Sequence, residues 1–350
     1  MKTPVAGGAL ALFAVLAVPA QAQDEAEPIV VQTPLIHPAA GLMNEHMHEA
    51  GEVMLGLRFE RTHAGGTNQS GTDEIADPAI VAAGYGARAT SMTMDMAMLD
   101  LMYAPTGNLT LMVMPQYMWH RMEMVGIDPA GVSHGGHSLP YGATMAHATD
   151  GFGDTLVSAS YRLVRRPGFG AHVTLGVWVP TGAVDKKDDD GNYVHYAMQP
   201  GSGTWDVEPT LTLTGRTGAV GWGAQAGYRW RTDAHNASGF AFGDKARATG
   251  WVSTLLGGDL GATGRLEYVH EGKVLGHYNA GHNHLAPPDR QQNYGGDVVA
   301  AGLGLNWLLP VAGARRPQLG GEVSVPLYQD LNGIQAPQDW RFTLGLSQTF

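Results

Sequence analysis

From Val53 to the last residue, apolar and polar side chains change places at every second position. Val53, Leu55, Leu57 and Phe59 alternate with Met54, Arg58 and Glu60, and Leu99, Leu101 and Tyr103 alternate with Met98, Asp100 and Met102. Leu109, Leu111, Val113, Tyr117 and Trp119 oppose Met112, Met114, Gln116, Met118 and His120. Runs of the same kind cover 157–163, 173–179, 205–213, 222–230, 265–268, 299–307, 319–327 and 340–350, with a weaker Gly- and Thr-containing run at 248–257. A period of two is the signature of a strand with one apolar face. The pattern predicts about 12 strands, an even number, as a barrel with both termini on one rim requires.

The connections sort into two classes. Tight ones ("APTGN", "RRPGFG", "GRTGAV", "GGDLG", "PVAGARRP") alternate with long ones near 62–91, 123–153, 180–203, 232–247, 273–295 and 328–338. The fold class expected is therefore all-β, a transmembrane antiparallel β-barrel with long extracellular loops and short periplasmic turns. Charge placement tests the register, because an Arg or Lys facing acyl chains at mid-membrane costs about 2–4 kcal/mol. With the apolar stripes outward, Arg58, Glu60, Asp100, Arg162, Asp206, Glu208, Arg229, Arg231, Arg265, Glu267, Glu322 and Arg341 all turn into the lumen. Asp95 is the exception and is expected near the outer rim. Tyr117, Trp119, Trp178, Trp230, Trp307 and Trp340, near strand ends, read as interfacial girdles.

The remaining chain fits an exported protein. Lys2, the apolar run 5–18 and Ala20-Gln21-Ala22 have the form of a signal peptide over residues 1–22, too short to span a bilayer as a helix. Residues 23–50 read as a periplasmic N-terminal segment and 51–350 as the barrel. The chain has no Cys, so neither disulfides nor thiolate metal sites enter the argument. Its net charge of -11, without a basic patch, argues against nucleic acid as a partner. Charged residues at 15% beside 49 glycines in 350 suit a chain whose hydrophobicity is spread over alternating strands. Expected partners are outer-membrane lipid, lipopolysaccharide and, through the terminal aromatic Phe350, the barrel assembly machinery.

One bias stands apart: 14 of the 16 methionines fall between Met43 and Met145. In the register above, Met92, Met94, Met96, Met98 and Met102 share a face with Asp100. Met112, Met114, Met118 and Met122 share one with Gln116 and His120. Two adjacent strands would thus line one side of the lumen with thioethers, joined by His120 and by His46 and His48 of "NEHMHE". Thioether and imidazole suit Cu(I) and Ag(I), carried transiently rather than held as a cofactor. Many weak ligands in series would permit loading and release. The same sulfurs could favour an aromatic solute or serve only as adaptable packing. His134, His137 and His147, or His282 and His284, could gather a divalent ion, but histidines in Gly-rich loops are usually just solvated. Asp188, Asp189 and Asp190 could hold Ca²⁺, yet the bidentate Glu of an EF-hand loop is missing.

The stretches "GFGDTLVSASYRL", "WVPTGAVD" and "PGSGTWDVEPTLTL" resemble the outer-membrane transporters named for the meta-pathway of phenol degradation. Matching positions are Gly151, Gly153, Asp154, Pro180, Thr181, Gly182, Gly201, Ser202 and Gly203. "NEHMHEAGEVMLGLRFER", "SMTMDMAMLDLMYAP" and "VPLYQDLNG" resemble a Met- and His-rich branch associated with copper handling. The resemblance implies a channel or transporter and brings no defined binding residues. A barrel hydrolase is a remote alternative, since no Ser sits in a recognisable nucleophile motif.

Overall fold

The computed structural model describes residues 40–131, 138–311 and 315–350. The expected signal peptide, residues 23–39 and the loop histidines His134 and His137 lie outside the described residues.

Twelve strands close into one antiparallel barrel. They are β1 (Val53–Gly65), β2 (Ala87–Thr106), β3 (Leu109–Met114 continued by Gln116–Gly126), β4 (Thr144–Phe152 continued by Thr155–Arg166), β5 (Phe169–Val179) and β6 (Asp206–Thr217). The second half is β7 (Val220–Arg231), β8 (Lys245–Gly257), β9 (Leu260–Glu271), β10 (Gly296–Leu308), β11 (Gln318–Gln335) and β12 (Gln338–Thr349). Closure comes from β1 pairing with both β2 and β12, with Leu57 opposite Leu99 on one side and Leu346 on the other. Each of the twelve barrel strands thus has a neighbour on both sides, so its ladder hydrogen bonds are made within the wall, as a bilayer demands.

The two faces follow the predicted parity. Leu57, Leu266, Leu303 and Leu327 are exposed on the outside, whereas Asp206, Arg265, Glu267 and Glu322 are buried inside. Asp95 does face outward, but it does not stand alone: its carboxylate takes a bidentate pair from Arg61, at 2.6 and 2.7 Å, on the facing strand. Mutual neutralisation lowers the cost of placing both near lipid.

Four expectations need correcting. The 328–338 region is not a long loop, because β11 and β12 run on to a two-residue connection at 336–337. Its polar residues interrupt the alternation but still pair, since β11 binds β10 and the short strand Asn68–Gly71 there. "PVAGARRP", expected to be tight, belongs to a longer connection between Leu308 and Gln318. Trp178 is not a girdle residue: it is buried in the lumen, in line with inward Thr174 on β5, and its indole donates to Glu208 at 2.7 Å. Residues 40–50, assigned above to a periplasmic segment, lie inside the barrel. Arg58 donates to the Leu42 carbonyl at 2.6 Å, Gln225 to that of Met43 at 3.0 Å and Arg162 to that of His48 at 3.2 Å. A polar segment without secondary structure finds its backbone partners on the polar inner wall, which is where unpaired amides are least costly.

Candidate functional site

The lumen has two chemically distinct sides. On β2 and β3, together with Met54 of β1, most inward positions are sulfur. Met54 lies opposite Met102, Met102 opposite Met112, Met96 opposite Met118 and Met92 opposite Met122. All nine methionines singled out from the sequence therefore occupy the inner face. They are not uniformly accessible. Met98, Met102, Met112 and Met114 are buried with Met54, Leu156 and Trp178 in one cluster, against which Met43 and Met96 pack. Met122 joins Met124, Val194, Met198 and Leu285 in a second cluster. Between the two lie Met92, Met94, Met96 and Met118, only half-buried, and the buried His120 opposite Met94.

On β6–β12 the inward positions are paired charges. Glu267 meets Arg265 at 3.2 Å and Arg247 at 3.4 Å and also pairs with Arg341, three strands away. Arg265 donates to Glu322 at 3.0 Å. Asp206 pairs with Arg231, and Glu208 takes a 2.8 Å bond from Arg229, which lies 3.8 Å over the Trp178 ring. Arg58 and Asp100, at 3.4 Å, and Arg162 and Glu49, at 3.5 Å, tie the other strands in. Except for Glu60, which accepts from Thr343 at 3.4 Å, these inward charges predicted from the sequence meet an opposite charge. A half-open cleft of about 320 Å³ lies along this ionic wall, lined by Arg247, Glu267, Glu271, Tyr294, Gln335 and Arg341. A second, of about 290 Å³, is lined by His46, Met47, Arg162, His172 and Trp251.

The threaded segment carries the two predicted imidazoles. His46 and His48 place their Nε2 atoms 3.1 Å apart, with Nδ1 of His46 on Glu45 at 2.9 Å and Nδ1 of His48 on Glu52 at 3.2 Å. A carboxylate only accepts, so each Nδ1 carries the proton and each Nε2 is turned toward the other ring. His48 also fixes its backbone by donating to Thr110 at 3.2 Å on β3. The pair stands at the foot of the sulfur wall.

The residues that carry the family resemblance form a clasp. Asp154, at the break in β4, accepts from Gly182 N at 3.1 Å, Ser202 N at 2.8 Å and Ser202 Oγ at 2.6 Å. Thr181 donates to the Gly153 carbonyl at 2.8 Å. Glycine is needed at the crossing because a Cβ on Gly182 would lie 2.5 Å from Gly201 Cα. The clasp pins the 180–205 loop over the barrel mouth, where Tyr196 stacks on Tyr278 at 4.5 Å. Burial pushes the Tyr196 hydroxyl up to about 12 and lowers His282, despite the pull of Asp289.

Sequence reasoning missed His195, Met124 and Asp289. His195 Nδ1 bonds Asp289 at 2.7 Å, and its Nε2 lies 3.2 Å from the Met124 sulfur. Met124 continues the inward parity of Met118, His120 and Met122, a signal that could have found it; nothing local marked the two loop residues. Among the described residues no group of three or more His, Cys, Asp or Glu is placed to hold a metal ion. Asp188 instead caps its own loop, accepting from the Asp190 and Asn192 amides.

Residues 131–336 match the family described as "Putative MetA-pathway of phenol degradation". Among solved structures, a COG4313 outer membrane channel from Pseudomonas putida F1 superposes with a TM-score of 0.57 at 15% identity, covering 88% of this chain and 98% of that one. A FadL homologue from Pseudomonas aeruginosa gives 0.42 at 9% identity, covering 85% of this chain and 90% of that one. No curated protein matches the chain.

Proposed function

The chain belongs to the family described as "Putative MetA-pathway of phenol degradation", and from that premise we propose a passive outer-membrane channel whose cargo is a soft metal ion, Cu(I) or Ag(I). The short-turn rim faces the periplasm and the clasped loops face outward, as in barrels of this class. One observation carries the reading. The half-buried sulfurs of Met92, Met94, Met96 and Met118 and the imidazole of His120 lie along one side of the lumen, and the threaded segment adds the imidazole pair His46 and His48. Thioether and neutral imidazole bind soft monovalent ions and attract hard ones poorly. With no thiolate in the chain, each step along such a ladder is weak enough for release. The reaction is transfer, not catalysis, and the chain is a channel rather than an enzyme.

A second reading has its own support. The family description names phenol degradation, and sulfur at a ring edge is favourable by about 0.3–1.5 kcal/mol per contact. Replacing Met94, Met96, Met112 and Met114 together with Leu keeps bulk and removes ligands. In a host lacking the chromosomal copy, the soft-ion reading expects this variant to lose copper and silver uptake while growth on phenolic substrates is unchanged. Unchanged metal uptake with impaired aromatic growth would favour the second reading.

A further inference from the structure

His195 and Met124 meet at 3.2 Å, both buried. The Asp289 carboxylate, 1% exposed, accepts from His195 Nδ1, which turns Nε2 toward a thioether, a soft donor with no proton to give. When Nδ1 alone carries the proton, two electron-pair donors face each other at 3.2 Å in a buried site; a doubly protonated ring donates Nε2–H to the sulfur instead. A third donor adjoins them. The His147 ring centroid is 5.4 Å from that of His195 at an interplanar angle of 73°, and its buried Nε2 has no hydrogen-bond partner among the described residues.

The geometry points to a soft-cation site at the mouth of the barrel, built from His195 Nε2, Met124 Sδ and His147 Nε2, which takes one Cu(I) or Ag(I). Two nitrogens and a thioether in a three-coordinate set suit that ion class. A ring separation of 5.4 Å leaves room for metal–nitrogen bonds on the order of 2 Å after small ring rotations. Asp289 orients His195 through the nitrogen that does not bind, as carboxylates behind metal-binding histidines do. Its charge also balances a monovalent ion, so the occupied site is neutral where the empty one is not. Asp188 and Asp189 add negative potential around His147.

The four residues come from four elements. Met124 is on β3, His147 on β4, His195 in the 180–205 loop and Asp289 in the 272–295 loop. An ion here would fasten both loops to the sulfur wall. The site deepens the channel reading by naming where a soft ion would first be held, but it does not depend on transport.

The test is Cu(I) binding to the full-length purified protein, by competition titration with a chromogenic chelator and by X-ray absorption. Met124→Leu keeps the packing volume and removes the sulfur; His147→Phe keeps the ring shape and removes the nitrogen. Each should abolish one bound equivalent or weaken it at least about tenfold, and Asp289→Asn should weaken it about 10–100-fold. The wild-type absorption spectrum should show mixed nitrogen and sulfur scattering that loses sulfur in Met124→Leu. The quadruple Leu variant of the deeper wall should retain this equivalent even if it no longer transports. Retention of full Cu(I) stoichiometry and affinity in both Met124→Leu and His147→Phe, with circular dichroism and heat-modifiable migration unchanged, would overturn the site and leave the channel reading standing. Unchanged metal transport in the quadruple variant, with the site intact, would count against the channel ladder alone. If either variant fails to fold, nitrogen-only scattering from the wild-type protein would be enough to overturn the site.

Discussion

The wall made by β1–β3 and the wall made by β6–β12 bury inward side chains by opposite means. Apart from the Arg58–Asp100 pair and Glu60, the first is neutral and deformable: Met98, Met102, Met112 and Met114 fill space with sulfur, and a thioether asks for no partner. The second is charged and directional. Glu267 alone is shared among Arg247, Arg265 and Arg341, so each member depends on the others. Rigid shape therefore resides on the ionic side and adaptable ligands on the other, with the 40–50 segment bonded to both through Arg58 and Gln225. A channel that handles a soft ion would want that division. The ionic wall fixes the bore, while the sulfur wall can rearrange around a passing cation.

The comparison breaks most easily on the charged side. Glu267→Leu leaves three inward guanidiniums without their common carboxylate and should destabilise the barrel by about 3–5 kcal/mol, read as a lowered midpoint in urea unfolding from detergent. Asp154→Asn should come next. The amide cannot accept from both Ser202 donors and Gly182 as a carboxylate does, so loop closure should weaken by about 1.5–3 kcal/mol. Limited proteolysis should then cut within 180–205 while the barrel core survives. On the sulfur side the effects should be small, since each Met→Leu exchange conserves volume and costs less than about 1.5 kcal/mol. The quadruple variant should fold with a nearly unchanged urea midpoint, and a collapse to the Glu267→Leu level would show that the sulfur wall also sets the shape.

Acid offers the mildest probe. Burial holds His282 below its ordinary value of 6.5, so below that pH the unfolded loop binds a proton the folded loop does not. Asp289 is also held below its ordinary value: burial opposes this, but His195 beside it prevails. Both groups give stability that is present above their unfolded values and lost as pH falls through the folded ones. Loop protection against hydrogen exchange should therefore decline from about pH 6.5 downward, first through His282 and then through Asp289, with the strands unaffected.

Much of the barrel was legible because a bilayer makes the period-two rule strict. Arg58, Glu208, Glu322 and Arg341 could be assigned to the lumen from parity alone, since a charge on the lipid side is costly. The same parity, applied to Thr174, Gly176 and Trp178, would have put Trp178 inside; its nearness to a strand end was the weaker signal. The upper part of β11 escaped because strands beyond the apolar belt need no alternation, only a paired neighbour such as Asn68–Gly71. The 40–50 segment has no period at all, and its place in the lumen follows from backbone groups that find partners on inward Arg58, Arg162 and Gln225. His195 and Asp289, 94 residues apart, come together only because the loops fold inward.

The central claim is that the sulfur wall handles soft ions inside the lumen, and single-channel conductance in a planar bilayer tests it most directly. With micromolar Ag(I) added, the wild-type current should be reversibly blocked, and the block should vanish in the Met94, Met96, Met112 and Met114 to Leu variant while its current without silver is unchanged. Equal block of both proteins by Ag(I), or no block of either, would contradict the account.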